Sequence, residues 1–287
     1  MARYVTLEPA ELRRVIVHYH VMKCAGTTLS AILEREFGDE CYHVHRPSPH
    51  GVISGDDLIA FLRATPQARA ITSHHLRYPV PRDPIADIVD CCPVRRPLDR
   101  LESLYNFVSA DASQVLHPLT VDGLARFFTN VAERYPDTAT DVQTAALGMR
   151  DRYRPAGDRE LRTAVRRVEE SGFLVLVDRF DESMVVAEYL LRGSFPGLLL
   201  HYAPQNTSRA VRYSTDEREQ RLRKRCGDDV YAMLKARNRL DEALCDAAAA
   251  ELDRRITFVP AFASRLNEFR ARCAALVRDQ ELLMASS

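Results

Sequence analysis

Short apolar runs alternate with helix-like patterns along the chain, and this alternation limits the fold more than any other feature of the sequence. The apolar runs predict β-strands at residues 15–20, 68–73, 85–94 and 173–177, with a further short strand at 198–202. Residues with helical spacing fill the intervals and predict helices at 26–37, 54–64, 97–109 and 159–171. Such an order is typical of an α/β fold in which helices flank a central parallel sheet.

The chain becomes richer in charge beyond Tyr202, where apolar residues keep a helical spacing. This pattern predicts helices at 215–237, 238–255 and 261–284. We expect one domain over residues 1–287, made of an α/β core (1–205) and a mostly helical extension (206–287). The late helices are compatible with a cover over the site and with a homodimer contact, and periodicity does not distinguish the two.

Composition excludes several classes of protein. The 40 acidic residues balance 40 lysines and arginines, so the net charge gives no sign of a nucleic-acid partner or an anionic membrane surface. No apolar stretch approaches the ~20 residues of a membrane span, and the N-terminal segment lacks the apolar region of a signal peptide, so we expect a cytoplasmic protein. The seven irregularly spaced cysteines predict reduced, mostly buried thiols and no disulfide framework.

Lys23 follows the first predicted strand, in the segment His20-Val-Met-Lys-Cys-Ala-Gly-Thr-Thr-Leu29. It is one of only three lysines in the chain, whereas arginine supplies the other positive side chains. An ammonium is a compact charge with three donors, which suits an oxygen met end-on. A glycine-containing loop that enters a helix also presents free N–H groups at the carboxyl end of a parallel sheet. The sequence therefore predicts a P-loop-like anion site around Lys23.

The order of residues in this loop differs from the phosphate loop of nucleoside triphosphatases. In those proteins the lysine follows the loop, as G-x-x-x-x-G-K-[ST], whereas Lys23 precedes Gly26. This order argues against an ordinary ATP or GTP site. In the purely structural alternative, Gly26 only permits a turn, and Thr27 and Thr28 cap the helix.

A second charged motif lies where the third predicted strand ends. Arg95 stands at the end of this strand, and Ser103 follows eight residues later, in a helix that begins near Pro97. A guanidinium fork and a hydroxyl at this edge of the sheet are suited to hold a second phosphate. The structural alternative for Arg95 is a surface ion pair.

Two histidines, His74 and His75, follow the second predicted strand at the same edge of the sheet. Histidine is the usual proton acceptor near neutral pH, so either residue is a candidate general base. A pair of loop histidines without a chemical role is the alternative. We expect His18 and His20 to be packing or hydrogen-bonding residues of the first strand.

Together, these segments resemble the PAPS-dependent sulfotransferases, in particular the group of the Golgi heparan sulfate 2-O-sulfotransferases and their bacterial relatives. Residues 20–29 are similar to the motif H-I-P-K-T-[AG]-G-T-[TS]-L, and residues 95–105 to R-D-P-x-x-R-x-x-S-x-Y. Weaker similarities lie at residues 141–148, 177–183 and 238–247, so the resemblance covers most of the chain.

The resemblance implies a site for the sulfuryl donor 3′-phosphoadenosine 5′-phosphosulfate (PAPS) at the two motifs. Arg95 and Ser103 would bind the 3′-phosphate that distinguishes PAPS from ATP. The 5′-phosphosulfate would be bound by Lys23 and by the main-chain amides of Cys24, Ala25, Gly26, Thr27 and Thr28.

The resemblance also bears on the histidines. The family's catalytic histidine follows the second strand, in a setting that His74, His75 and Tyr78 match. We favour His74, because it follows the residue in the place of the family's glycine. A further cluster lies in a segment that this family uses for contacts with the acceptor: His43, His45 and His50. No cysteine or carboxylate spacing completes a metal site there.

The chain departs from the family motifs at four places: Met22, Cys24, Arg96 and Cys245. We expect the Cys24 thiol, beside a bound anion, to have a lowered pKa and to be sensitive to oxidation. Arg96 replaces an aspartate and makes the strand end more positive. It therefore either strengthens donor binding or faces an anionic acceptor.

The expected activity is transfer of a sulfuryl group from PAPS to a hydroxyl by in-line displacement, with a histidine base, no metal, and 3′,5′-diphosphoadenosine as the product. The acceptor is a carbohydrate or a small molecule, and the lysine-poor composition points to a bacterial protein. One alternative is a P-loop-like nucleotide kinase, which would need a strand-end carboxylate for Mg²⁺, although Asp90 lies early on its strand. The other is a non-catalytic protein that binds PAPS or a sulfated ligand.

Overall fold

One sheet of five strands lies at the centre of the fold. The structure is a computed structural model that describes residues 13–48, 51–77, 86–110, 123–149, 154–204 and 214–285. The strands are β1 (Arg13–Tyr19), β2 (Cys41–His43), β3 (Ala70–Ser73), β4 (Ala86–Val94) and β5 (Phe173–Leu176). They are ordered β2-β3-β1-β4-β5, and every neighbouring pair is parallel. The predicted α/β fold with a central parallel sheet is confirmed.

The central position of β1 follows from its apolar sequence. Residues 15–17 are fully buried, as expected for a parallel strand that is covered on both faces. Tyr19 stands opposite Ser73 of β3, and His18 stands opposite Cys91 of β4. The chain therefore leaves β1 between the ends of two other strands, which is where ligands bind in open parallel sheets.

Helices occupy most of the remaining described chain. The first eight are α1 (Gly26–Phe37), α2 (Gly55–Ala64), α3 (Pro97–Ser109), α4 (Leu124–Arg134), α5 (Pro136–Ala139), α6 (Val142–Gly148), α7 (Asp158–Glu170) and α8 (Phe180–Leu191). The last four are α9 (Thr215–Cys226), α10 (Asp228–Arg237), α11 (Arg239–Ile256) and α12 (Phe262–Ala285). None of these described helices is long and apolar enough to cross a membrane.

Local signals account for the helix starts near the site. The helices predicted at 26–37 and 97–109 are confirmed with the same bounds, and Pro97 takes the first turn of α3. Ser54 precedes α2 as its cap, because its Oγ accepts a hydrogen bond from the Asp57 N–H (3.2 Å).

Two apolar cores hold the helices together. The larger core lies on the sheet and includes Leu29 of α1, Val168 of α7, Leu244 of α11 and Phe269 of α12. The smaller core, with Phe127 of α4 among its buried side chains, joins α3 and α4 to α9 and α10. The four C-terminal helices are therefore divided between the two cores.

The single helix predicted over residues 215–237 is wrong. Gly227 adopts a positive φ of 84°, outside the helical region, and separates α9 from α10. Glycine tolerates this conformation without the steric cost that other residues pay.

The strand predicted at residues 198–202 is also wrong. The N–H of Leu199 donates to the carboxylate of Glu36 (2.9 Å), and the N–H of Leu200 donates to that of Glu188 (2.7 Å). Because side chains take these donors, the segment makes no ladder with the sheet.

The cysteines agree with the sequence-based expectation. All seven are free thiols, and five of them are buried.

Candidate functional site

The loop between β1 and α1, residues 20–25, lies at the carboxyl edge of the sheet between the ends of β3 and β4. Two of its residues, Lys23 (φ 65°) and Ala25 (φ 58°), adopt the left-handed conformation that non-glycine residues rarely take. Each such residue costs about 1 kcal/mol, so the loop is held in this shape by its surroundings. The positive φ angles of Lys23 and Ala25 turn the chain sharply into α1.

Gly26, the first residue of α1, is required by a neighbouring side chain. A Cβ atom at this position would lie 1.9 Å from Nε2 of His20, far inside van der Waals contact. The glycine therefore makes room for the His20 ring. The turn itself uses positive φ at Lys23 and Ala25, so the simple turn role considered for Gly26 does not describe it.

Lys23 places an ammonium at this edge with no carboxylate partner in the described part of the chain. Its Nζ lies 4.1 Å from the centre of the Phe107 ring, a cation–π contact with the face of α3 that carries Ser103 one turn earlier. Burial, and then the positive charge of Arg95, lower the pKa of Lys23. Both causes disfavour the charged form, so a bound anion is the natural partner for this ammonium.

The main-chain donors expected in the loop are not all available. The N–H of Cys24 donates to the carbonyl of Val21 (3.1 Å), so it is already used inside the loop. The first N–H groups of α1, from Gly26 to Thr28, lie at a helix N-terminus, where the helix itself provides no acceptor. They form the positive end of the helix dipole, directly after the loop that contains Lys23.

The expectation of a reactive Cys24 is wrong. Its thiol is fully buried, and burial raises its pKa to about 12. The Sγ atom lies 3.4 Å from Oε1 of Gln143. Cys24 is therefore a packing residue that faces away from solvent.

Arg95 is held directly against the loop. Its Nη1 donates to the carbonyl of Lys23 (2.9 Å), while Nε and Nη2 contact Oδ2 of Asp99 at 2.7 and 2.6 Å. A guanidinium has five N–H donors, so one N–H on each terminal nitrogen has no partner within the described ranges. The half-buried Ser103 hydroxyl also makes no hydrogen bond with any described residue.

Arg96 turns away from the site. Its Nη1 contacts Asp246 at 2.6 Å and Glu242 at 3.3 Å, both on α11. Its guanidinium is thus engaged by carboxylates, and the two roles expected for Arg96, donor binding and contact with an anionic acceptor, stay predictions. Its charge is used to tie the end of β4 to α11.

His74 is exposed at the end of β3 and is oriented by the loop. Its Nδ1 lies 2.8 Å from the carbonyl oxygen of His20. A carbonyl only accepts, so Nδ1 carries the proton and the lone pair of the neutral ring is on Nε2. Burial of the ring face by its neighbours lowers the pKa of His74, so the ring is neutral at pH 7.

His75 has the opposite arrangement. Its Nδ1 accepts the N–H of Arg46 (3.1 Å), so the proton of the neutral ring is on Nε2. The residue is buried, and its carbonyl accepts the N–H of Ile53 (2.8 Å). His75 therefore fastens Arg46 and Ile53 to the edge of the sheet.

The histidines form one continuous array of rings. Ring centroids are separated by 5.2 Å between His18 and His20, and by 3.7 Å between His20 and His74. His45 continues the array, 6.3 Å from His74 and 5.8 Å from His75. Among the residues that the structure describes, no three His, Cys, Asp or Glu side chains are placed to hold a metal ion. Two candidates named from the sequence lie outside the described residues: His50 and Tyr78.

A buried amide–carboxylate network holds the main chain of Arg95 at the site. It consists of Asp141, Gln143, Asn238 and Asp241, which are at most 7% exposed. Gln143 accepts the main-chain N–H of Arg95 and donates to its carbonyl, both at 2.7 Å. In the sequence these residues stand out only as weak similarities to the family motifs. The available signal was polar residues at the buried positions of helices.

Asp241 holds the network together through its two oxygens. Oδ1 accepts the N–H of Thr144 (2.7 Å), and Oδ2 accepts the N–H and the side-chain amide of Gln143 (3.1 and 3.2 Å). Asp241 thus caps the N-terminus of α6 from another helix. Asp141 in turn accepts the main-chain N–H groups of Leu240 and Asp241.

Asp90, the carboxylate considered for Mg²⁺, lies within β4 opposite Val17. The Tyr19 hydroxyl donates to its Oδ1 (2.8 Å). Burial raises the pKa of Asp90 to about 6. This carboxyl group is therefore part of the sheet and does not point from a strand end.

Comparison with known proteins assigns no family to the chain. No protein-family model matches it, and a search of the curated proteins finds no significant match. An assignment of function therefore depends on the residues of this chain and on their geometry.

Proposed function

We propose that the protein is a sulfotransferase that moves a sulfuryl group from PAPS to a hydroxyl group. The observation that carries the proposal is that one loop, residues 20–25, makes hydrogen bonds both to Arg95 of the second motif and to His74, the candidate base. The carbonyl of Lys23 accepts a hydrogen bond from Arg95 at the end of β4, and the carbonyl of His20 accepts one from His74 at the end of β3. Lys23, His74 and Arg95 are far apart in sequence, and the loop gathers them at one edge of the sheet.

The residues fit a ligand with two separated anionic groups. Lys23 has no carboxylate partner in the described ranges and stands beside the N-terminus of α1. Arg95 keeps one free N–H on each terminal nitrogen, and the Ser103 hydroxyl faces no described partner, so these two would hold a second phosphate. PAPS carries a phosphate on the 3′-oxygen of its ribose and a phosphosulfate on the 5′-oxygen. The 5′-phosphosulfate would supply the activated sulfuryl group.

Within this proposal, the residues have distinct tasks. Lys23 holds negative charge at the 5′ side, where the charge grows during transfer. His74 accepts the proton of the acceptor hydroxyl at Nε2, because its Nδ1–H is already engaged by the His20 carbonyl. His75 is not the base, since its Nδ1 lone pair accepts the Arg46 N–H.

The surroundings favour a small, largely apolar acceptor over a polyanionic glycan. Met22, which precedes Lys23 in the loop, and Phe107, whose ring contacts the Lys23 ammonium, are 44% and 49% exposed, and exposed apolar side chains at a site indicate an apolar ligand. Two arginines that could otherwise attract a sulfated glycan are paired with carboxylates, Arg46 with Asp57 and Arg96 with Asp246. A test compares 2-naphthol with glucosamine as acceptors of radiolabelled sulfate from PAPS. Transfer to glucosamine alone would contradict the apolar acceptor.

Donor binding is the first test of the proposal. We expect 3′,5′-diphosphoadenosine to bind at least tenfold more tightly than ADP in calorimetry, because only the former has the 3′-phosphate for Arg95 and Ser103. Arg95→Ala should weaken its binding about tenfold or more, by loss of a charge-assisted contact of about 1.5–3 kcal/mol. Arg126→Ala, at an exposed position of α4, is the matched control and should bind normally. Equal affinity for both nucleotides would contradict the 3′-phosphate site.

The same assays separate the two alternative functions. A nucleotide kinase would bind ADP and ATP preferentially and would turn over ATP with Mg²⁺. A non-catalytic protein would bind 3′,5′-diphosphoadenosine but would release no labelled sulfate from PAPS to any acceptor or to water.

A further inference from the structure

The side chain of His20 connects the two halves of the candidate site. Its ring lies over Gly26, where a Cβ atom would come within 1.9 Å of Nε2, and its centroid is 3.7 Å from that of His74. The ring therefore fills the space between the start of α1, which presents the anion-binding amides, and the candidate base.

The contact between the two rings adds a constraint that the hydrogen bond lacks. The carbonyl of His20 fixes the tautomer of His74, because it accepts the Nδ1–H at 2.8 Å. A single hydrogen bond still permits the exposed ring to rotate about it. The His20 ring, packed at 3.7 Å with a tilt of 33°, limits this rotation and sets the direction of Nε2.

We infer that His20 is a positioning residue, which sets the direction of the His74 lone pair relative to the anion-binding start of α1, and that Gly26 lacks a side chain to accommodate it. The inference rests on the proposed function, since it assigns His74 the role of base. His20 itself touches no reacting group.

The charges around His20 are consistent with a neutral spacer. Burial, followed by the neighbouring His74, His43, His45 and Lys23, lowers its pKa to about 3. His18, which is buried beside it, is also held neutral, because burial lowers its pKa well below the ordinary value. The His20 ring therefore adds no positive charge next to His74 across the range in which enzymes of this kind work.

A two-residue cycle tests the inference with PAPS as donor and with 2-naphthol or water as acceptor. The variants are His20→Ala, Gly26→Ala and the double variant. We expect His20→Ala to bind 3′,5′-diphosphoadenosine within about twofold of the wild type but to lose roughly ten- to hundredfold in kcat, because a misdirected base costs rate and not donor affinity. Gly26→Ala should lose both, since the new methyl group displaces the ring and the start of α1.

The double variant is the decisive arm. Removal of the ring makes room for the methyl group, so donor affinity should return to near the wild-type value while kcat stays at the level of His20→Ala. The acidic limb of the pH profile of kcat/KM should move to higher pH in His20→Ala, because His74 loses part of the cover that lowers its pKa. His201→Ala, outside the ring array, is the control for loss of an imidazole and should change neither quantity.

Several outcomes would overturn the inference. A kcat for His20→Ala within twofold of the wild type, or recovery of kcat in the double variant, would show that the ring does not direct the base. If His20→Ala does not fold, His20→Gln removes the aromatic contact while filling part of the space, and the same expectations apply. A wild-type protein that releases no sulfate from PAPS would instead overturn the proposed function, and with it the role of His20.

Discussion

Two polar regions meet at Arg95, and they differ in how their hydrogen-bonding groups are satisfied. The first region is the loop of residues 20–25. It has strained backbone at Lys23 and Ala25 and an ammonium without a carboxylate partner among the described residues. The second region is the buried amide–carboxylate network around Gln143, whose main-chain donors and carboxylates pair with one another.

On the proposed function, the difference separates polar residues that bind ligand from those that hold the fold. Groups left unpaired at a strained surface loop are typical of functional sites, and the proposed function gives them a ligand to bind. Groups buried with their partners cost little until one partner is removed. Polarity and position near the site do not distinguish the two kinds, whereas the state of their partners does.

The largest effect should come from Lys23→Ala, which tests the loop. We expect sulfuryl transfer to fall at least about 10³-fold, since a loss of about 4 kcal/mol is typical when a charge that stabilises the transition state is removed. The free energy of unfolding should change by less than about 0.5 kcal/mol, because no carboxylate in the described ranges pairs with this lysine. Lys224→Ala, on α9, is the matched control.

Transfer assays and urea denaturation on the same samples check both expectations. Near-normal turnover by Lys23→Ala would remove Lys23 from the mechanism. A large loss of stability would place the loop in the same class as the buried network.

The next largest effect should come from Asp241→Ala, which tests the network. We expect the free energy of unfolding to fall by about 3 kcal/mol, because the N–H groups of Gln143 and Thr144 lose their acceptor at a buried helix start. Asp246→Ala, on the same helix, removes a carboxylate that is 69% exposed and should cost less than about 1 kcal/mol. Urea denaturation at pH 7 measures both, and equal costs for the two variants would contradict the distinction.

The smallest effect should come from Asp90→Asn, which concerns a carboxyl group of neither region. Its raised pKa means that the folded protein keeps a proton that the unfolded chain releases between about pH 4 and 6. The contribution of Asp90 to stability therefore falls as the pH rises through this window and stays low above it. The amide variant keeps an acceptor for Tyr19 and should be more stable than the wild type at pH 7 by about 1 kcal/mol, allowing for partial solvent access.

Urea denaturation at several pH values checks this sign. Buried histidines also titrate at acidic pH, but they are common to both proteins, so the difference between wild type and variant isolates Asp90. A difference that grows toward pH 4 would contradict the raised pKa.

The fold was predictable where burial follows the sequence pattern. β1 and β4 are apolar runs in the interior of the sheet, β5 is an edge strand whose four residues are all buried, and residues 26–37 have both a helical period and a start signal. β2 was missed because it is a three-residue edge strand, partly exposed, with no period to detect. The helices α4, α5 and α8 were missed as well. α4 has a clear apolar face that the sequence pattern could have revealed, whereas α5 is only four residues long and α8 is buried on several sides.

The site was predictable in its residue types but not in its pairings. The sequence placed Lys23, Arg95 and His74 at neighbouring strand ends, and the structure brings all three to the same loop. The sequence does not reveal which nitrogen of a histidine carries the proton. Nor does it reveal that Cys24 is buried or that Arg96 pairs with carboxylates of α11. These properties depend on contacts between segments that are distant in the chain.

The main chain of the loop holds His74 and Arg95, because the carbonyl oxygens of His20 and Lys23 accept hydrogen bonds from these two side chains. These oxygens remain whatever side chains stand at the two positions. Variants that remove the chemistry of the loop should therefore keep the architecture that is proposed to receive the donor. Such inactive but intact proteins would serve as traps to isolate the natural acceptor from cell extracts.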